Sequence, residues 1–180
     1  MRMSKRHAGK NEKKDEIMNS SDAADVMSWE SNNAGRLVIW AIRLWTQGRA
    51  RNLPVAPALR VAFSRANIPQ AVAVFERFML TMDNGLCRDI RVNRICNNQP
   101  TPDEVLLVEI LERIQARDCR GARDGMACLF TCEGCQRVYE QLDQLTAMMR
   151  DANLMISGAD LDCRKNTGKM ENPASARLVH

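Results

Sequence analysis

Apolar residues recur every three or four positions through the middle of this chain, and each run with that period predicts an α-helix. Between Gly35 and Gln47 the stripe is Leu37, Trp40, Ala41, Leu44 and Trp45, flanked by Arg36 and Arg43, which predicts an amphipathic helix over 35–46. Two prolines interrupt the segment Arg49 to Pro57. Pro57, its φ already suited to a first helical turn, then opens a short helix through Leu59, Ala62 and Phe63. Ile68, Ala71, Val72, Phe75, Phe78, Met79 and Met82 predict a helix over 68–83, with Gly85 placed for a left-handed cap.

The pattern then loosens. Cys87, Ile90, Val92 and Ile95 interleave with Arg88, Arg91 and Arg94, which predicts extended chain or one short strand over 86–98. A strong helix start follows: Thr101 caps, Pro102 suits the first turn and Glu104 completes a capping box. The helix over 102–116 buries Leu106, Leu107, Ile110, Leu111 and Ile114, and Glu109 can pair with Arg113 one turn on. Arg117 to Gly121 reads as a tight turn into an antiparallel helix over 122–130.

Here the phase changes. Ala122, Met126 and Leu129 would carry Glu133 and Gln136 into the core, whereas the next apolar series is Cys128, Cys132, Cys135, Tyr139, Leu142, Leu145 and Met149. A break at Thr131 to Gly134 resolves the conflict, with Thr131 capping a last helix over 135–151. The rival is one continuous helix buried on two sides. The fold class is therefore all-α, a small helical bundle of five or six helices. Phe75, Phe78, Leu107, Ile110, Leu111, Leu142 and Leu145 are its expected core.

Composition adds the boundaries. Residues 1–32 and 161–180 are polar and carry too few large apolar groups to offset the entropy of ordering them, so both are expected to be disordered tails around a single domain over 33–160. Every lysine lies in the tails, while all sixteen basic residues from Arg36 to Arg150 are arginines. Both histidines, His7 and His180, are also in the tails, so the body lacks the commonest general base near neutral pH. The charge is uneven: +7 over 33–99 and −6 over 100–162. No run approaches the roughly 18 apolar residues of a membrane span. The charged start has no apolar signal core, and the seven cysteines are an odd number, so a reducing cytoplasmic setting is expected.

Two groups of residues could do chemistry. Cys128, Cys132 and Cys135, spaced C-x3-C-x2-C, supply three thiolates that could hold an iron-sulfur cluster or zinc if Cys119 or Cys96 joined them. The bland reading makes the same three positions one buried helix face, since free cysteine is among the most buried residue types. Between the two stands a redox reading of Cys132 and Cys135 alone: below a Thr131 cap, Cys132 falls in the first turn, where the helix dipole favours a thiolate. The second group is Arg88, Arg91 and Arg94, which could meet nucleic-acid phosphates, although the acidic half must pack against this basic one.

The chain carries no glycine-rich phosphate loop, no dinucleotide fingerprint and no Cys/His finger spacing. The leading expectation is a non-catalytic adaptor or regulatory protein acting through contacts with another protein or with itself, without a cofactor. The alternative is a thiol- or metal-dependent redox sensor built on Cys128, Cys132 and Cys135.

Overall fold

The computed structural model describes residues 34–157. The expected tails, 1–32 and 161–180, lie outside the described residues, as do His7, Cys163 and His180. Six helices follow one another: α1 Ala34–Arg51, α2 Ala56–Arg65, α3 Ala71–Gly85, α4 Pro102–Gln115, α5 Cys119–Ala127 and α6 Cys132–Asp151. Among the described residues there is no named strand; the extended segment 86–100 makes only an isolated antiparallel bridge, Leu86 with Phe130. No described helix is long and apolar enough to cross a membrane.

The expected core residues Phe75, Phe78, Leu107, Ile110, Leu111, Leu142 and Leu145 are all buried. Phe75 is their hub, with ring centroids 5.6 Å from Phe63, 6.1 Å from Phe78 and 6.5 Å from Trp45. α3 packs most extensively on α6, and α4 packs on both α5 and α6. Four helices stop the same way. Asn52, Asn67, Arg117 and Asn153 have φ between 53° and 64°, and the amides around each return to carbonyls of the last turn. The pairs Asn67 N to Ser64 O (3.0 Å) and Ile68 N to Phe63 O (2.9 Å) show the pattern. Asparagine tolerates this left-handed conformation better than most residues, which explains three of the four positions.

Several expectations need correction. Gly85 is not a left-handed cap, for no described glycine has positive φ. Its role is contact: a Cβ on Gly134 would lie 2.4 Å from the Gly85 carbonyl oxygen and 2.7 Å from its Cα, so two backbones touch where α3 meets α6. Arg113 pairs with Asp118 at 3.2 Å rather than with Glu109, because Asp118 caps α5 directly beside it. Leu106 is only half-buried, and Val108 takes its place in the core.

The largest correction concerns Arg43, read from the sequence as a flank of the first helix. It is 5% exposed and grips the fully buried Glu104 through two bonds, Nε to Oε1 at 2.7 Å and Nη2 to Oε2 at 2.8 Å. Its remaining donors go to the carbonyls of Arg94 (3.3 Å), Asn97 and Gln99 (3.0 Å). Glu104 also accepts from the amides of Thr101 (2.7 Å) and Asn93 (3.1 Å), while Thr101 Oγ1 accepts from the Glu104 amide to complete the expected capping box. One buried ion pair thus ties α1, the start of α4 and the irregular segment together.

Candidate functional site

α6 begins where the chain doubles back against the end of α3. The Cys87 amide donates to the Leu129 carbonyl and the Thr131 amide to the Gly85 carbonyl, both at 2.9 Å, so the Leu86–Phe130 bridge holds 85–87 alongside 129–131. Thr131 then caps α6, its Oγ1 accepting from the Gly134 amide at 3.0 Å. The break expected at Thr131 is therefore real, and its cause is local: a cap side chain, followed by glycine where α3 must come close.

This break undoes the reading of Cys128, Cys132 and Cys135 as one buried face. Cys128 ends α5 and is exposed, Cys132 opens α6 and is exposed, and Cys135 is half-buried one turn on. Spacing of i, i+4 and i+7 gives a common face only on a continuous helix, and 128–131 is a turn. The buried face of α6 is instead Gly134, Val138, Leu142, Leu145, Thr146 and Met149. Tyr139, expected in the core, is half-buried and donates its hydroxyl to Cys119 Sγ at 3.4 Å.

The thiols differ in surroundings. Cys135 Sγ lies 3.8 Å from the Phe130 carbonyl, and its pKa is pushed up by burial first and then by the neighbouring thiols of Cys132 and Cys87. Cys128 donates to the Asp124 carbonyl at 3.6 Å. Cys87, Cys96 and Cys119 are exposed. Among the described residues no group of three or more His, Cys, Asp or Glu side chains is gathered so as to hold a metal ion. Cys128, Cys132 and Cys135, with or without Cys119, are therefore not brought together as a ligand set for zinc or an iron-sulfur cluster.

Of the three arginines singled out for nucleic acid, Arg88 binds through its side chain, and Arg91 and Arg94 through their backbones. Arg88 donates to Asp103 at 2.6 and 3.3 Å, to the Asp89 carbonyl at 3.0 Å and to the Cys128 carbonyl at 3.2 Å. Arg91 contributes its backbone, the amide bonding Asp103 at 2.7 Å and the carbonyl accepting from Thr101 at 2.6 Å. The Arg94 carbonyl is held by Arg43, leaving the side chains of Arg91 and Arg94 exposed. Of the three, only the Arg88 guanidinium is committed to a carboxylate, that of Asp103.

Beside the thiols lies an open groove of about 230 Å³, lined by Arg77, Leu80, Thr81, Asn84, Glu133 and Arg137 among others. Arg137 is paired with Glu133 inside α6. What sequence reasoning missed is Cys87, forty-one residues before Cys128 and outside its cluster. The signal available for it was the pair Gly85 and Gly134, two glycines whose common purpose is to bring their neighbours together. Compared with known proteins, the chain matches no family model, no curated protein and no solved structure.

Proposed function

We propose that the protein is a small thiol-based redox sensor with no catalytic site of its own, working through Cys132 and Cys135. The observation that carries this reading is their asymmetry: Cys132 is exposed at the first position of α6, and Cys135 is half-buried one turn below it with its pKa raised. An exposed thiol meets oxidant first, and a protected neighbour resolves the product. The Cys132 thiolate attacks a hydroperoxide, the O–O bond breaks, and Cys132 becomes a sulfenic acid as the peroxide is reduced to water or alcohol. Cys135 then attacks that sulfur, the S–O bond breaks, and the departing hydroxide takes the thiol proton to leave as water.

Packing accounts for Cys135, which lies against the core, but not for the other five described cysteines, which are exposed in a residue type that is usually buried. The dithiol form is favoured over an iron-sulfur or zinc form because the described residues gather no ligand set. The adaptor reading takes second place. Its support would be an apolar surface, and the large exposed apolar residues are only Leu53, Val61, Leu80 and Met155 among the described residues.

The test is to treat reduced protein with one equivalent of hydrogen peroxide, block the remaining thiols and map the tryptic peptides. A Cys132–Cys135 disulfide within the peptide 124–137 is expected, retained in Cys128→Ser and lost in Cys132→Ser. Oxidation spread evenly over Cys96 and Cys119, with no disulfide at Cys132 or Cys135, would overturn the reading.

A further inference from the structure

Besides Cys135, two other cysteines stand on the elements that meet at the start of α6. Cys132 precedes Cys135 by one helical turn, and Cys87 comes from the other arm of the bridge, its backbone fixed by the 2.9 Å bond to Leu129. The Leu86–Phe130 bridge sets the residue before Cys87 against the same Phe130 whose carbonyl the Cys135 thiol approaches. The Cys87 and Cys132 thiols are exposed, so their side chains can rotate, whereas Cys135 is half-buried with its Sγ 3.8 Å from the Phe130 carbonyl. The backbones beneath leave no slack: Gly85 and Gly134, two residues before Cys87 and one before Cys135, are already in contact.

We propose that Cys87 is the third thiol of this site and that oxidation ends in a Cys87–Cys135 disulfide stapling the end of α3 to the first turn of α6. The inference rests on the dithiol reading above and extends it. Once the Cys132–Cys135 disulfide has formed, the Cys87 thiolate attacks the Cys135 sulfur. A new S–S bond forms, the old one breaks, and Cys132 leaves with the electron pair and takes up the proton lost from Cys87. The exchange consumes no further oxidant, because one disulfide is traded for another. It restores an exposed thiol at Cys132 and closes a long loop of chain between 87 and 135, where the first disulfide had closed only one helical turn.

The staple also reaches the irregular segment. Cys87 precedes Arg88, which bonds both Asp103 and the Cys128 carbonyl, so a covalent tie at Cys87 fixes the root of the segment that Asp103 and Glu104 hold farther along. The oxidised protein is thus expected to resist heat better than the reduced one, and to lose that gain when only the short disulfide can form.

Trypsin separates the partners, placing Cys87 in the peptide 78–88 and Cys128, Cys132 and Cys135 in 124–137. After peroxide treatment and time for exchange, the two peptides are expected to be joined by a disulfide in the native sequence and in Cys128→Ser. They are expected to be separate in Cys87→Ser and Cys135→Ser. Cys87→Ser should keep the internal Cys132–Cys135 disulfide and show no rise in melting temperature on oxidation. A native protein that accumulates only the internal disulfide would overturn the staple and leave the dithiol reading standing. A joined pair that persists in Cys135→Ser would assign the link to another cysteine and overturn it as well. Absence of any disulfide at these positions would sink both.

Discussion

The segment 86–100 is fastened at two places with opposite materials. At the start of α4 the fastening is charge: Asp103 and Glu104 are buried among donors from Arg43, Arg88 and the amides of Arg91, Asn93 and Thr101. At the start of α6 it is close backbone contact, Gly85 against Gly134, rimmed by thiols that mostly face solvent. A buried ion pair is costly to assemble and costlier to leave half-made, so a site of that kind serves as a fixed frame. Exposed thiols beside a tight backbone contact are the reverse, rigid underneath and chemically open above. The contrast separates the part of the molecule that holds shape from the part able to react.

The sharpest way to break the frame is Glu104→Ala, which leaves the Arg43 guanidinium buried without its partner. Removing one member of such a pair costs about 3–5 kcal/mol, to be read from urea denaturation. A double replacement, Arg43→Met with Glu104→Leu, should recover only part of that loss: it removes the unpaired charge, but the carbonyls of Arg94, Asn97 and Gln99 and the amides of Asn93 and Thr101 lose their partners. Leu111→Ala tests the apolar core that the two fastenings share and should cost about 2–5 kcal/mol; a loss below about 1 kcal/mol would show that this face is not core.

At the other fastening, Gly134→Ala must push against backbone, since its new Cβ would meet the Gly85 oxygen at 2.4 Å. Overpacking of this kind costs about 1–3 kcal/mol. Gly85→Ala, whose Cβ would lie 3.0 Å from Gly134 Cα, should cost less. Smaller still is Thr131→Ala, which removes the cap of α6 for about 1 kcal/mol. Equal losses at Gly134 and Thr131 would mean that the helices can part freely and that the contact does not fix the thiols.

Acid separates the two regions without mutation. The Arg88 hydrogen bond and then the Arg91 amide hold Asp103 below its ordinary range. Burial pushes Glu104 up, but the bonds from Arg43 and from the amides of Thr101 and Asn93 outweigh it and bring it below the ordinary value. A carboxylate lowered in the folded state takes up its proton later than in the unfolded chain. Its stabilisation is therefore complete above the unfolded range and fades as pH falls below about 5 toward the lower folded values. Denaturation midpoints should fall over that window in the native protein and fall less in the Arg43→Met, Glu104→Leu protein.

How much of this was legible beforehand follows from the kind of interaction involved. Helix periodicity announced α1, α3, α4 and α6; the Thr101 cap signal placed the start of α4 to the residue, and Thr131 is the cap of α6, which starts at Cys132 rather than at the expected 135. These are local effects, written within a few positions of one another. The Arg43–Glu104 pair spans sixty-one residues and the Cys87–Leu129 bond forty-two, and nothing at either end names its partner. Arg43 was misjudged because an arginine within an apolar stripe normally marks the wet edge, and only a buried carboxylate reverses that. Cys128 was misjudged because its spacing to Cys132 and Cys135 imitates a helix face across a turn.

In the proposed sensor, Cys132 is the thiol that meets oxidant first. This is tested most directly by trapping the sulfenic acid with dimedone in a Cys87→Ser, Cys128→Ser, Cys135→Ser protein, where none of the neighbouring cysteines remains to resolve it. After one equivalent of hydrogen peroxide the label should sit chiefly on Cys132, with the exposed Cys96 and Cys119 largely unmodified. Equal labelling of Cys96, Cys119 and Cys132, or none at Cys132, would contradict the account.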